Sequence, residues 1–207
     1  MNDQTNLLPL SDYALHAVVF GVVVASWFVF GLAFALFLRR KPSQGTERRR
    51  DSSSKLGFAL QGASYAFVWA FMRQTFTHIA PLGQLPDIAL GLVTIALATG
   101  SVWFMLSAMQ RLGKQWSLTA RVLEGHNLIT EGTYRWVRHP IYTGMFGLLV
   151  ANGLAVSRPY ALLVGIAIFW VGTVIRVRSE ERLLRATFGA EYEEYARRVP
   201  AVLPGIY

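Results

Sequence analysis

The amino-acid sequence predicts an all-α membrane protein, a polytopic bundle of about five transmembrane helices with a polar cap at one end. Hydrophobic residues make up 53% of the 207-residue chain and charged residues only 15%, which is too apolar for an ordinary soluble domain. Long apolar segments alternate with basic ones, a pattern typical of chains that cross a membrane repeatedly. Since no cysteine is present, disulfides, thiol nucleophiles and thiolate metal sites are excluded.

Three apolar segments in the first half of the chain can each cross the roughly 30 Å hydrocarbon core of a bilayer at about 1.5 Å per residue. They cover residues 14–38, 56–79 and 88–109. The residues before the first segment lack a basic cluster, so we expect a retained anchor and not a cleaved signal peptide. We expect His16 at the interfacial end of that segment, and Arg73 to extend toward the interface.

Two further apolar runs, 141–156 and 160–175, have 16 residues each and are short for full spans. We interpret them as a tight helical hairpin, and a single kinked helix is the alternative. Residues 176–199 place apolar side chains at helical spacing opposite acidic ones, which predicts amphipathic helices that Gly189 divides in two. The residues after Val199 are expected to be extended and able to pack against the bundle.

Basic residues are concentrated in three polar segments. Segments 39–55, 111–138 and 176–198 hold 18 of the 20 lysines and arginines. Because cytoplasmic loops of membrane proteins collect basic residues, we expect all three segments in the cytoplasm and the N-terminus outside. Placement in a membrane thus explains the net charge of +8 without a nucleic-acid partner. The composition of 42–55 also predicts a flexible loop.

Residues 132–144 concentrate more chemically active side chains than any other stretch. They contain two tyrosines, a tryptophan, two arginines and a histidine, and Pro140 can begin a helix there without losing a backbone hydrogen bond. With the tail, this stretch could form a pocket for a polar cofactor that has cationic and anionic parts. The alternative is that its arginines meet anionic headgroups or pair with acidic residues of the tail.

Four motifs follow one another at regular spacing in the second half of the chain. They are GHNLITEGTY at 125–134, RHPIYTG at 138–144, the pair Glu180 and Glu181 after Arg176, and FGAEYEEY at 188–195 before RVP. In this order they resemble the isoprenylcysteine carboxyl methyltransferase family over roughly residues 110–207. Related membrane phospholipid methyltransferases and sterol reductases carry strings similar to the Arg-His-Pro-x-Tyr element alone.

The resemblance implies one integral membrane methyltransferase domain over residues 1–207, with membrane helices in 1–110 and the catalytic region in 111–207. It implies methyl transfer from S-adenosyl-L-methionine to a membrane-embedded or lipid-like acceptor, in this family the carboxylate of a prenylated cysteine. Phospholipid or amine N-methylation and NADPH-dependent reduction of the sterol type are the alternatives. No metal is required for the transfer, and the oligomeric state stays open.

The resemblance also implies roles for single residues. Arg176 and Glu180 are the catalytic candidates: Arg176 would orient the acceptor, since a guanidinium holds a carboxylate in fixed geometry, and an ion pair with Glu180 is its structural alternative. Gln115 and Trp116 are candidates for the lipid-side entrance, with interfacial anchoring as the alternative for the tryptophan. The cofactor would be bound by His126, Leu128, Gly132, Tyr134, Arg138, His139, Tyr142, Glu180 and Glu181.

Overall fold

Six α-helices account for most of the chain that the computed structural model describes, which is residues 10–39, 47–50, 53–73, 84–115, 121–123 and 127–205. Helices α1, α2 and α3 are Leu10–Arg39, Ser54–Ala70 and Gln84–Leu112. Helices α4, α5 and α6 are Pro140–Val156, Pro159–Phe188 and Ala190–Arg198. Short 3-10 turns lie at Gly113–Gln115 and Gly132–Arg135.

Helices α1, α3 and α5 are long and apolar enough to cross a membrane, and the chain is an integral membrane protein. Helices α2 and α4 have 17 residues each, about 26 Å of helix, which is less than a full span. Helix α2 packs along α5, and α4 packs along α3. The predicted all-α membrane bundle is therefore confirmed, although two of its five membrane-segment helices are shorter than a full span.

Helix α4 lies at the centre of the bundle because two apolar cores meet on it. The core shared with α1 and α3 consists of Val23, Ala98, Val102, Met105, Leu148 and Ala151. The core shared with α2 and α5 consists of Tyr65, Val68, Leu149 and Phe169. Since neighbouring residues of α4 face different cores, α4 is enclosed on both sides, and its first turn is held in a fixed place.

The linker between α4 and α5 confirms the helical hairpin and excludes the single kinked helix. Ser157 and Arg158 adopt extended backbone angles, and Pro159 then occupies the first turn of α5, where a proline loses no hydrogen bond. Helix α5 continues for 30 residues, so the apolar run 160–175 and the first amphipathic helix of the tail form one continuous helix, and Arg176 lies inside it. The predicted break at Gly189 is confirmed, with φ of +53°.

Helix α2 ends at Ala70, nine residues earlier than the segment 56–79 that the sequence predicted. After it, Met72 forms an isolated bridge with Ser157, and the backbone N–H of Arg73 donates to the carbonyl of Val156 at 2.9 Å. The Arg73 guanidinium donates to the carbonyls of Leu154 (2.8 Å) and Ala155 (3.0 Å). Arg73 therefore caps the C-terminal end of α4, whose last carbonyls have no partner within the helix.

One other expectation differs from the structure. The loop predicted to be flexible contains strand β1 (Glu47–Arg50), which pairs antiparallel with strand β2 (Arg121–Leu123). His16 lies near the start of the apolar span that begins at Ala14, as expected, and its buried Nε2 lies 2.8 Å from Oδ2 of Asp87 on α3. This contact joins α1 to α3, because a buried polar side chain in an apolar helix needs a partner.

Small residues bring the helices close together. A Cβ added to Gly57 of α2 would lie 2.6 Å from the carbonyl oxygen of Gly172 on α5, and one added to Gly144 of α4 would lie 2.8 Å from that of Ser101 on α3. Such close backbone approach is how membrane helices pack without a hydrophobic driving force between them. The same contact places the stem of Arg176 directly against Gly57.

Replacing Gly172 with alanine is expected to destabilise the bundle by about 1–3 kcal/mol, the usual range for overpacking. The new methyl group would lie 2.7 Å from the Gly57 carbonyl oxygen and 3.0 Å from Cβ of Leu60, so α2 and α5 would have to separate. The fraction of monodisperse protein after heating in detergent measures the effect. Gly100→Ala is the matched control, since a Cβ at Gly100 would meet nothing within 4 Å, and equal melting temperatures would contradict the prediction.

Candidate active site

The stretch 132–144 begins with the 3-10 turn at Gly132–Arg135 and continues into the first turns of α4. The backbone N–H of Arg138 donates to the carbonyl of Pro200 at 2.8 Å, and that of His139 donates to the carbonyl of Ala201 at 2.9 Å. Thr143 Oγ1 donates to the carbonyl of Val202 at 2.5 Å. The residues after α6 are thus bound to the start of α4, as the sequence predicted for the chain beyond Val199.

The Arg138 guanidinium joins three elements of the cap. Its Nε donates to Oε1 of Glu181 on α5 at 2.9 Å, and its Nη2 lies 2.9 Å from the same oxygen. Its Nη1 donates to the carbonyl oxygens of Ala196 (2.9 Å) and Val199, which are left unpaired at the end of α6. Three hydrogen bonds and one further ionic contact from one buried side chain make Arg138 a clamp that holds the tail on α5.

His139 lies between the two glutamates of α5. Its Nδ1 is 3.4 Å from Oε2 of Glu180, and its Nε2 is 3.3 Å from Oε1 of Glu181. Burial lowers the pKa of His139, but the hydrogen bonds and negative charges of the two carboxylates outweigh burial and raise it above its ordinary value. With a carboxylate oxygen beside each ring nitrogen, both nitrogens can donate when the ring is protonated.

Glu180 also accepts hydrogen bonds from the side of the membrane helices. The Tyr142 hydroxyl donates to its Oε1, and Nη2 of Arg176 lies 3.4 Å from the same atom. Arg176 Nε donates to the Tyr142 hydroxyl at 2.7 Å, and its guanidinium lies over the Phe58 ring at 5.6 Å. We refer to Arg138, His139, Tyr142, Arg176, Glu180 and Glu181 as the charged cluster.

Three tyrosines and a leucine form the wall of the cap next to the charged cluster. Tyr192 and Tyr195 of α6 are buried, and the partly buried Leu128 packs against them. The Tyr195 hydroxyl donates to the carbonyl of Tyr134 at 2.6 Å, and the guanidinium of Arg185 lies 5.5 Å from the centre of the Tyr192 ring. Helix α6 thus supplies apolar aromatic surface beside ionised groups.

A cavity of about 460 Å³ extends from the charged cluster into the space between the membrane helices. Its polar end is bounded by Arg138, His139, Tyr142, Arg176 and Glu180. Its apolar end is bounded by Trp27, Phe30 and Phe34 of α1 and by Phe58, Gln61 and Tyr65 of α2. Arg176 lies where the two ends meet, since it contacts Tyr142 on one side and Phe58 on the other.

The structure brings most of the predicted site residues to this cavity. Arg176 and Glu180 line it, together with Leu128, Tyr134, Arg138, His139 and Tyr142. The ion pair that sequence analysis gave as the structural alternative for Arg176 is also present. Gln115 lines the cavity as well, and its Oε1 accepts a hydrogen bond from the backbone N–H of Asn127 at 2.9 Å.

Other predicted site residues lie elsewhere. Glu181 is not among the lining residues and instead binds Arg138, His139 and Arg185. Gly132 has a φ of +64°, and a Cβ there would come within 3.0 Å of Nε of Arg111, so it permits a tight turn at the edge of the cap. His126 and Trp116 lie outside the described residues, and their roles stay predictions.

The contribution of α1 and α2 to the cavity is not evident from the sequence. Their lining residues are mostly aromatic, and nothing in an apolar segment distinguishes a cavity-facing phenylalanine from a lipid-facing one. Gln61 could have been found, because an amide inside an apolar helix is costly unless it has a partner or a function. It is buried, and its Nε2 donates to Oγ1 of Thr173 at 3.0 Å.

Comparison with known proteins confirms the resemblance. Residues 92–186 match the model of the isoprenylcysteine carboxyl methyltransferase (ICMT) family. Protein-S-isoprenylcysteine O-methyltransferase B of Arabidopsis thaliana is 36% identical over 81 residues, 39% of this chain and 41% of that protein. Protein-S-isoprenylcysteine O-methyltransferase of Saccharomyces cerevisiae is 37% identical over 81 residues, 39% of this chain and 34% of that protein. The matches thus span between about a third and two fifths of these relatives.

A solved structure extends the likeness to the first hundred residues. The eukaryotic intramembrane Ras methyltransferase ICMT has a TM-score of 0.60 and 18% sequence identity with this chain. The match covers 97% of this chain and 70% of that one. The two proteins therefore share a fold that includes helices α1 and α2, where sequence motifs gave no guidance.

Proposed function

We propose that this chain, which matches the model of the isoprenylcysteine carboxyl methyltransferase family over residues 92–186, transfers a methyl group from S-adenosyl-L-methionine to the carboxylate of a lipid-like acceptor in the membrane. The observation that carries the proposal is the cavity that joins the charged cluster to the apolar space between α1 and α2. A water-soluble donor and an apolar acceptor need two such environments in one connected site. Arg176 lies at the boundary between them.

The polar end of the cavity fits the donor. S-adenosyl-L-methionine supplies an electrophilic methyl group on a sulfonium, and it also carries an ammonium, a carboxylate and an adenine. The Glu180 carboxylate, whose side chain stays 25% exposed, is suited to the ammonium, and Leu128, Tyr134 and Tyr192 are suited to the adenine. The volume of about 460 Å³ lies in the usual range of roughly 300–1,000 Å³ for small-molecule sites.

Arg138 and Glu181 serve this site by holding its wall. Three hydrogen bonds and one ionic contact tie the Arg138 guanidinium to protein oxygens, and Glu181 is shared among the basic side chains Arg138, His139 and Arg185. They keep α5, α6 and the start of α4 together over the cavity. Such closure excludes water and keeps the reactants aligned, which is the main demand of an in-line methyl transfer.

Arg176 is suited to hold the acceptor carboxylate. Its guanidinium is positioned by Tyr142 and Glu180 on one side and by the Phe58 ring on the other, so it offers a positive charge at the edge of an apolar channel. A carboxylate bound there is already ionised and nucleophilic, so no general base has to remove a proton. The protein contributes by orienting the acceptor carboxylate on the Arg176 guanidinium and by burying the two charges together.

The charge distribution supports an orientation in which the charged cluster faces the cytoplasm and the N-terminus lies outside. Segments 39–55, 111–138 and 176–198 carry most of the basic residues, and the positive-inside rule puts them in the cytoplasm. The methyl donor would then enter from water on that side. The acceptor would enter sideways from the bilayer, between apolar helices.

Binding and transfer measurements on detergent-purified protein test the proposal. Calorimetry is expected to show binding of S-adenosyl-L-methionine and none of NADPH. Radiolabelled methyl groups are expected to appear on a prenylated cysteine with a free carboxylate, and not on the same compound as its amide. Binding of NADPH would favour the reductase alternative, and labelling of an aminophospholipid in place of the carboxylate would favour N-methylation.

Arg176→Ala is expected to lower kcat/KM for the carboxylate acceptor by about 10- to 150-fold, because a hydrogen bond to a charged group contributes about 1.5–3 kcal/mol. The affinity for S-adenosyl-L-methionine should change much less. Arg178→Ala is the matched control, since Arg178 lies on the same helix with its side chain exposed. Full turnover in Arg176→Ala would show that this arginine is structural.

A further inference from the structure

The apolar end of the cavity lies between facing stripes of α1 and α2. Trp27, Phe30 and Phe34 follow one another at helical spacing on α1, as Phe58, Gln61 and Tyr65 do on α2. Phe58 contacts Arg176 of the charged cluster, whereas Tyr65 contacts Trp27 with ring centroids 5.0 Å apart. The Trp27–Tyr65 pair therefore closes the cavity at the end away from the charged cluster.

Both rings of this pair are fixed to α4. Trp27 Nε1 donates to Oδ1 of Asn152 at 2.7 Å, and Nδ2 of Asn152 donates to the carbonyl of Leu148 at 2.6 Å. The Tyr65 hydroxyl donates to the carbonyl of Met145 at 2.5 Å. Asn152 is fully buried, and a buried amide that satisfies its donor and acceptor in this way holds its partner in one orientation.

A second space begins on the other side of Trp27. It has a volume of about 230 Å³ and is lined by Val24, Trp27 and Phe28 of α1 and by Trp69 of α2. Phe28 is 73% exposed, so this space is a groove on the apolar outer surface of the bundle. Trp27 is the residue that lines both spaces, which makes its indole the wall between them.

We propose that Trp27, held in place by Asn152, is the stop that limits the length of the acceptor tail. The proposal rests on the function proposed above and adds a substrate class to it: carboxylate amphiphiles whose apolar tail ends at the Trp27–Tyr65 pair. Up to that length, each further methylene of the acceptor tail is buried in the apolar end of the cavity and strengthens binding. Beyond it, the tail meets a side chain that cannot turn aside without losing its hydrogen bond.

A series of thioether carboxylates with one head group and increasing tail length tests the proposal. In the wild-type protein, kcat/KM is expected to rise about fourfold for each methylene that becomes buried, the equivalent of about 0.8 kcal/mol, up to an optimum length and then to fall steeply as the tail meets Trp27. Trp27→Ala joins the cavity to the outer groove, so the optimum should move to longer tails. Phe28→Ala is the control, since Phe28 lines only the groove, and its optimum should not move.

Two further variants keep the test decisive if Trp27→Ala fails to fold. Gly31 lines the cavity, and a Cβ added there meets nothing within 4 Å, so Gly31→Leu should fold and shift the optimum to shorter tails. Asn152→Ala keeps the indole but removes its anchor, and it should make the decline beyond the optimum less steep. As a third variant, Asn152→Leu fills the volume of the asparagine but cannot accept the indole hydrogen bond. It should therefore show the same less steep decline as Asn152→Ala.

The outcomes separate this inference from the function on which it rests. If the wild-type protein neither binds S-adenosyl-L-methionine nor methylates any acceptor of the series, the proposed function is wrong. If it methylates the series while Trp27→Ala, Gly31→Leu and Asn152→Ala all keep the wild-type optimum and decline, Trp27 is not the stop. Opposite shifts in Trp27→Ala and Gly31→Leu would support the inference.

Discussion

Arg138→Met is expected to destabilise the folded protein by about 3–5 kcal/mol, because removing one partner of a buried ion pair takes from Glu181 the guanidinium that contacts it most closely. The Arg138 side chain is 9% exposed and that of Glu181 is 8% exposed. The substitution also leaves the carbonyls of Ala196 and Val199 without their donor. The cap should therefore loosen, and S-adenosyl-L-methionine binding should be lost with it.

Unfolding in mixed micelles and protease sensitivity of the residues after α6 measure this effect. Arg198→Met is the matched control: Arg198 is 70% exposed and pairs only weakly with Glu194 at 3.5 Å, and such surface pairs contribute about 0.2–1 kcal/mol. The double variant Arg138→Met/Glu181→Gln should recover part of the loss, since the buried negative charge is gone. Equal stability of Arg138→Met and Arg198→Met would disprove the clamp.

Glu180→Gln is expected to lower kcat/KM by roughly 30- to 900-fold, an effect of about 2–4 kcal/mol, because several charge-assisted hydrogen bonds meet on this carboxylate. Its partners are His139, Tyr142 and Arg176. Glutamine has nearly the same shape but only one acceptor oxygen and no charge. The Arg176 guanidinium would then lose the carboxylate beside it, while His139 would keep only Glu181, and the site would lose its geometry.

The kinetics of Glu180→Gln show which part of the site depends on the carboxylate. A loss of S-adenosyl-L-methionine affinity points to contact with the donor ammonium, whereas a loss of kcat alone points to the positioning of Arg176. Glu194→Gln is the control, because Glu194 is exposed and pairs only with Arg198 among the interactions of the described chain. Wild-type kcat/KM in Glu180→Gln would contradict the proposed arrangement of the charged cluster.

The sequence was informative where a structural feature is local. The break at Gly189 and the hairpin around Pro159 follow from residues whose backbone preferences can be read directly from the sequence. The end of α2 could not be predicted in the same way. Phe71 and Met72 continue the apolar composition of the helix, and the helix stops because Arg73 and Met72 bind the end of α4.

The cavity was predictable at its polar end only. Arg138 belongs to a recognisable motif, but the sequence does not show that the carbonyls of Ala196 and Val199 approach it, so its clamp role appeared only in the structure. Whether Arg138 also contacts the cofactor stays a prediction. At the apolar end, Trp27 and Tyr65 line a space left between helices, and such a space depends on how whole helices pack.

The continuous helix α5 has a consequence for which acceptors can be used. Arg176 lies 17 residues after Pro159, about 26 Å along the helix axis, against a hydrocarbon thickness of roughly 30 Å. When α5 crosses a bilayer, the guanidinium is therefore near the boundary with water and far from the midplane. Under the proposed function, an acceptor carboxylate would reach Arg176 by descending little more than its own length, and a hydrophilic group on the same acceptor would stay in the aqueous phase. A free lipid acid and a lipid-bearing polypeptide would then present the same carboxylate to Arg176.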